Sequence, residues 1–387
     1  MRICGIIAEY DPFHNGHAWQ LQEARRATDA DYVVCAISGC FTQRGMPALL
    51  SPHIRAEMAL RSGADLILQL PFSFSVCNAE RFAIGGLHIL KQLGAQALSF
   101  GAEPESIPYI EQAAQLLENP PNAYQDRLRQ LLNSGNSYPK AQGQALADIL
   151  QADPAVFAQP NAALAISYAR ANIRLNTKMT LHSIPRSGRY HDGLIPADGS
   201  LPSATAVRNA ILAGDWSQVK NAIPADCYPL VEQAFRNKDF HLPQSLDGLL
   251  RWKLRQEKHF STLPDLSEGI ENRLSAAADC LNRNDMVLAI KSKRYSYARV
   301  NRLLTNALMD TQGGKLGKLP SYAYVLGFRR NASHLLRAAE QNGFLLPANA
   351  RANISYEMDL DIRADDLWNL GASKPFGAIF REKPVIL

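Results

Sequence analysis

No uninterrupted apolar stretch in this 387-residue chain reaches the ~20 residues that a membrane-spanning helix requires. Nor does a cleavable secretory pattern stand at the N-terminus, where Met1 leads almost directly into an apolar run, Ile3–Ala8. A cytoplasmic protein with no membrane partner is the expectation. Tight cysteine spacing is also lacking. Cys4, Cys35, Cys40, Cys77, Cys227 and Cys280 are scattered, which argues against ribbon-type metal sites and a disulfide framework and reads as reduced thiols. No dedicated carboxylate cluster is apparent, so a protein-caged divalent ion is not expected. Acids are almost missing between Met286 and Ala339, where ten Lys and Arg face Asp310 alone. That segment carries a local balance of +9 in a chain whose total is +5.

The basic segment includes Lys291, Lys293, Arg294, Arg299 and Arg302, interleaved with Tyr295 and Tyr297 and followed by Tyr322, Tyr324 and Phe328. Cations beside aromatics suit an RNA backbone with exposed loop bases. A solvated helix face is the plainer structural explanation for a charge run, but the absence of compensating acids over more than fifty residues favours RNA.

The most informative stretch is Ile6 to His17. An apolar strand ends at Asp11-Pro12, and a helix then begins with Ala18, Leu21, Ala24 and Ala27 on one side and Gln22, Glu23, Arg25 and Arg26 on the other. His14 and His17 stand three residues apart at that helix entrance, where unpaired N–H groups and the positive dipole end attract phosphate. Gly16 between them lets a nucleotide approach the backbone. Ordinary capping or a metal pair are the alternatives, although zinc would want a third ligand at plausible spacing.

The first 105 residues alternate strands (3–8, 32–38, 66–70, 97–100) with helices, which predicts an α/β fold with a doubly wound parallel sheet and its ligand at the strands' carboxyl ends. Helices are expected over 106–172, a last strand over 180–184 and a helix over 203–212. Beyond the prolines at 224, 229 and 243 the pattern changes to amphipathic helices at 246–257, 266–282 and 294–309. This predicts a catalytic domain over 1–240 and a mainly helical domain over 241–387.

The order strand, His14-Asn15-Gly16-His17, then Ser203-Ala204-Thr205-Ala206-Val207-Arg208 resembles the HxGH nucleotidyltransferases. More closely, Glu9–His17, Phe41–Ala48, Gly63–Phe72, Phe100–Glu103, Lys293–Val300 and Val325–Phe328 look like the tRNA(Met) cytidine acetate ligase family over nearly the whole chain. The resemblance implies a Rossmann-like nucleotidyltransferase fold and a two-step reaction. Acetate and ATP would give acetyl-adenylate and pyrophosphate, and the acetyl group would pass to N4 of the wobble cytidine in the anticodon loop of elongator tRNA(Met). Magnesium would be bound through the ATP phosphates.

The same resemblance implies site residues. His14, His17 and Arg208 would be catalytic, the histidines relieving charge at the α-phosphate and Arg208 clamping the β- and γ-phosphates. ATP contacts would run through Ile7, Glu9, Tyr10, Phe13, His14, Gly16, His17, Gly101, Asn161, Arg186, Ser203 and Thr205. Alternatives stay open for several. Arg208 could form a surface salt bridge, Asn161 could be a helix N-cap, and Gln43 and Arg44 could line an acetate or cytidine pocket. The chain departs from the family pattern at Cys40 (usually Asp), Ser51-Pro52 (usually Asp-Lys) and Asp11 (often Asn). Another HxGH enzyme adenylating a small molecule, or an RNA-binding protein that has lost catalysis, are the competing readings.

Overall fold

A computed structural model describes residues 1–186, 193–196, 198–257, 259–266, 269–292, 295–350 and 355–387. Seven strands form one sheet: β1 (Ile3–Ala8), β2 (Tyr32–Ser38), β3 (Leu66–Leu70), β4 (Ala97–Ala102), β5 (Thr180–Pro185), β6 (Tyr324–Phe328) and β7 (Val385–Ile386). Their order is β5-β4-β1-β2-β3-β6-β7. The first five run parallel, β6 pairs antiparallel to β3, and β7 lies parallel to β6.

Central parallel strands are covered on both faces, so they read as continuous apolar runs. Every residue of β3 is buried, and β2 is buried from its second residue on. Helices α1 (Asn15–Thr28), α2 (Pro52–Arg61), α3 (Ala79–Gln92), α4 (Pro160–Arg174) and α5 (Ala204–Ala213) are among those flanking the sheet. Two large cores result. One is built on Ile7, Leu68, Phe82, Leu90 and Tyr168, and the other on Ile6, Leu21, Ile37, Leu60 and Val207.

The parallel α/β sheet expected from the alternation is present, and its five parallel strands fall where the pattern puts them. The second segment, expected to be mainly helical, also contributes strands to the sheet. Helices α6 (Asp247–Gln256), α7 (Ile270–Ala277), α8 (Arg283–Ile290) and α9 (Tyr297–Leu308) share a core around Leu250, Leu274, Met286 and Leu303. After them the chain returns to the sheet as β6 and β7. The reason is the unpaired edge of β3, whose N–H and C=O groups need partners when buried. Helix α10 (Tyr356–Gly371) then packs over the exits of β2 and β3, with Trp368 donating its indole N–H to the Ala48 carbonyl at 2.7 Å.

Candidate active site at the carboxyl edge of the sheet

Strand β1 leaves the sheet through Tyr10, whose backbone is left-handed (φ 53°) despite a bulky side chain. Such a conformation is held only where the surroundings dictate it, and the Tyr10 ring is buried with its hydroxyl 3.5 Å from Cys35 Sγ. This turn delivers His14 to the N-cap of α1. His14 Nδ1 accepts from the Gly16 N–H at 3.0 Å, and His17 Nδ1 accepts from the His14 N–H at 3.3 Å. The two imidazoles thus form a reciprocal capping box, with ring centroids 3.8 Å apart. A backbone N–H directed at Nδ1 makes that atom the acceptor, so each neutral ring carries its proton on Nε2. His14 Nε2 is buried and has no partner.

Burial pushes the His14 pKa down to about 3, with the Arg186 charge adding to the effect. It pushes His17 well below its usual value too, assisted by His14 and Arg186. Both rings are therefore neutral hydrogen-bond donors at pH 7, suited to phosphate oxygens. Gly16 is required sterically, since a Cβ there would lie 2.9 Å from His14 Cε1.

Tyr10 and Phe13, expected as nucleotide contacts, are 1% and 0% exposed, with ring centroids 4.9 and 5.5 Å from that of His17. Their side chains pack against the histidine ring, which leaves their backbone as the part that could meet a nucleotide. Ile7 is also buried in the core.

Ser203 caps α5, its Oγ accepting from the Ala206 N–H at 3.1 Å. One turn on, Arg208 crosses to β1's exit and donates from Nη1 to both the carbonyl and Oδ2 of Asp11, each at 2.7 Å. Its Nη2 reaches Thr205 Oγ1 at 3.5 Å. Arg208 thus makes a salt bridge, but one anchored beside the two histidines. Asp11 Oδ1 accepts from the Leu49 N–H at 2.7 Å. Glu9 Oε1 accepts from the Gln43 N–H at 2.7 Å, and burial raises the Glu9 pKa against the pull of Arg44.

Arg55 is the residue that sequence reasoning missed. Fully buried on α2, it donates to the carbonyls of Leu50 (3.0 Å), Glu9 (2.6 Å), Ser38 (3.0 Å) and Gly39 (2.5 Å), tying together the exits of β1 and β2. An arginine inside an amphipathic helix looks like a surface residue, and no local signal distinguishes this one. Ser51-Pro52 has a local explanation: Ser51 Oγ accepts from the Ile54 N–H at 3.4 Å and Pro52 opens α2.

The exits of β4 and β5 form the other half of the site. A Cβ on Gly101 would lie 2.5 Å from Arg186 Cδ, so the missing side chain is the space the arginine occupies. Arg186 Nη1 donates to Asn161 Oδ1 at 3.4 Å. The N-cap alternative for Asn161 is corrected: Gln159 is the N-cap, and Asn161 lies inside α4. It donates from Nδ2 (2.8 Å) and its backbone N–H (3.4 Å) to Glu103 Oε1. Both ends of its amide are thus engaged within the protein, Nδ2 by Glu103 and Oδ1 by Arg186.

Gln43 does not present a free amide to a pocket, because its Nε2 donates to the Cys77 carbonyl at 2.7 Å. Its loop is docked onto the helical segment. Gly45 has φ 78°, and its carbonyl accepts from Arg283 Nη2 (2.8 Å) and Thr305 Oγ1 (2.5 Å). A Cβ there would sit 2.7 Å from the Arg302 backbone nitrogen. Cys40 Sγ is buried, 3.8 Å from Asp365 Oδ1 of α10.

Among the basic candidates, Lys291 is exposed with Nζ 4.5 Å from the Tyr297 ring centroid, and Tyr297 is itself 52% exposed. Arg299 lies over Tyr295 and donates to the Asp265 carbonyl at 2.7 Å. Arg302 is corrected as an open-surface contact: it is 9% exposed, packed beneath the Gly45 loop. Lys293 and Arg294 lie outside the described residues. Among the described residues, no group of three or more His, Cys, Asp or Glu could hold a metal ion, and no helix is long and apolar enough to cross a membrane.

A HIGH Nucleotidyl Transferase family pattern matches residues 1–378. The tRNA(Met) cytidine acetate ligase of Kosmotoga olearia is 34% identical over 358 residues, spanning 87% of this chain and 83% of that protein. The one from Alkaliphilus metalliredigens is 32% identical across 96% and 94%. Two crystal structures of Thermotoga maritima TmcAL superpose over the full length of both chains. The apo form has TM-score 0.91 at 26% identity, and the form bound with alpha-thio ATP has TM-score 0.89 at 25%. With the His14–His17 pair and Arg208 at one sheet edge and similarity running end to end, this chain belongs to the tRNA(Met) cytidine acetate ligase family of HIGH nucleotidyl transferases.

Proposed function

We propose that this protein is an ATP-dependent, AMP-forming ligase that activates acetate and acetylates N4 of the wobble cytidine in elongator tRNA(Met), giving N4-acetylcytidine. The observation that carries the reading is the pair of neutral imidazoles whose Nδ1 atoms are capped and whose Nε2 protons remain for a ligand. An acetate oxygen attacks the α-phosphorus, and the bond to the leaving pyrophosphate breaks. The Nε2–H groups of His14 and His17 meet the charge that builds on the phosphoryl oxygens. Arg208, preset by Asp11, faces the β- and γ-phosphates with its remaining donors. The cytidine N4 then attacks the acetyl carbon of the mixed anhydride, AMP departs, and the amine proton is lost to solvent or to AMP.

Magnesium in this reading is carried by the phosphates, since Glu9 and Asp11 already accept protein hydrogen bonds. The RNA approaches across the helical segment at Lys291, Tyr297 and Arg299, with Lys293 and Arg294 in the same basic run. ATP–pyrophosphate exchange with and without acetate tests the activation step. Exchange that requires acetate supports it, and exchange driven by another acid points to a small-molecule ligase of the same fold. Acetate-dependent exchange with no acetyl transfer to elongator tRNA(Met) would remove the RNA half of the proposal.

A further inference from the structure

Glu103 follows β4 directly and divides its carboxylate between two environments. Oε1 accepts both donors of Asn161 and so anchors the first turn of α4, a helix whose N-cap Gln159 makes no side-chain capping bond. Oε2 is buried without any partner. A buried carboxylate oxygen with no donor is unfavourable unless something supplies one. His14 Nε2, one strand away, is the complementary case: a buried donor with no acceptor.

The two orphans lie on the exits of adjacent strands. β1 and β4 pair with Cys4 beside Ala97 and Gly5 beside Leu98; carried forward, that register sets Gly101 level with Ala8. Neighbouring strands are ~4.8 Å apart. One ligand that satisfies both orphans must present acceptors at one end and donors a short distance away. Phosphate oxygens only accept, and the nearest donors on a nucleoside triphosphate are the ribose hydroxyls, one sugar from the α-phosphate. The 6-amino group of adenine lies farther off, beyond the whole base. Gly101 has no side chain of its own on the intervening surface, and that space holds the side chain of Arg186.

We infer that Glu103 Oε2 accepts a hydrogen bond from a ribose hydroxyl of the bound nucleotide and makes this site selective for ribonucleotides, an inference that rests on the ATP site proposed above. A carboxylate acceptor gives a charge-assisted bond, which corresponds to about tenfold or more in affinity.

The test is calorimetric titration of the full chain with ATP, 2′-deoxy-ATP, 3′-deoxy-ATP and inosine triphosphate, in the natural protein, Glu103→Ala and Glu103→Gln. The natural protein should bind ATP about tenfold or more tightly than at least one deoxy analogue. In Glu103→Ala that preference should collapse, ATP binding falling to the level of the deoxy analogue, whose own affinity stays put. Glu103→Gln keeps an acceptor for Asn161 and serves as the folded control; it should lose part of the preference while melting like the natural protein. Equal weakening of every nucleotide by both variants would reduce Glu103 to an anchor for α4 and overturn the inference. Discrimination that follows inosine instead of the deoxy sugars would overturn it as well. If the natural protein binds ATP and supports acetate-dependent exchange but never distinguishes the sugars, only this inference fails; if it binds no nucleotide, the proposed function fails with it.

Discussion

Arg208 and Asp11, 197 residues apart, are joined by two 2.7 Å hydrogen bonds from a single guanidinium nitrogen. The Asp11 carboxylate is nearly buried and also receives the Leu49 N–H, so it holds the arginine from a fixed base. In the proposed function this arrangement orients Arg208 toward the ATP phosphates and at the same time offsets part of its charge.

Replacing Asp11 separates those two effects. Asp11→Asn keeps an acceptor for Leu49 while removing the negative charge, so the KM for ATP in the exchange reaction should fall a few-fold. Asp11→Ala leaves the buried Leu49 N–H unsatisfied at a cost of about 1–3 kcal/mol, so its melting temperature should drop where that of Asp11→Asn does not. An unchanged KM in Asp11→Asn would show that the carboxylate does not attenuate the clamp.

Loss of a neutral imidazole donor should act on chemistry alone. His17→Ala is expected to lower exchange by about 10²–10³-fold, the scale of one transition-state donor, with tRNA affinity nearly unchanged in a filter-binding assay. The lowered pKa values also bear on stability. Between about pH 3, where His14 titrates in the fold, and its ordinary value near 6.5, the unfolded chain binds the extra proton. Stability contributed by this group is full above pH 6.5 and declines as pH falls through that window. The exchange rate should accordingly show no histidine titration between pH 6 and 8; an inflection near 6.5 would contradict the neutral pair.

Asp361 makes the opposite prediction. It accepts from the Phe72 N–H at 2.6 Å and the Tyr322 hydroxyl at 2.5 Å, yet burial, with Glu357 and Asp365 one helical turn to either side, raises its pKa to about 7. The fold holds this proton more tightly than the unfolded chain does. Its contribution is therefore full below about pH 3.8 and is lost as pH rises through 7. Asp361→Asn should flatten the dependence of melting temperature on pH between 6 and 8, and should be the more stable protein at pH 8. Parallel curves for the two would refute a titrating Asp361.

On the helical segment, Lys291→Ala and Arg299→Ala should weaken tRNA binding and reduce the slope of affinity against salt by about one unit each. Acetate-dependent exchange should stay as it is. A matching loss of exchange would indicate that these side chains support the fold of the site instead.

Much of the site could be read directly along the chain because its chemistry is local. The capping box needs only His14, Gly16 and His17 within one helix start, and Ser203 and Arg208 sit one turn apart. What escaped was non-local. Nothing in His53-Ile54-Arg55 announces an arginine buried against four carbonyls, and Asn161 reads as a cap until Glu103 is found beside it. Arg302 looks like any other cation of the basic run until the Gly45 loop is laid on its backbone. Strands β6 and β7 are short, and their place depends on an edge of β3 formed more than 250 residues earlier.

The amino-acid sequence by itself determined the alternating elements, the parallel character of the first five strands and the histidine pair at the first helix, because side-chain periodicity and capping act over a few residues. Only the tertiary structure decided which charges meet: Arg208 with Asp11, Asn161 with Glu103, Arg283 with the carbonyl of Gly45. Those pairings follow from burial, where each polar group must find whichever partner the packed strands bring within reach.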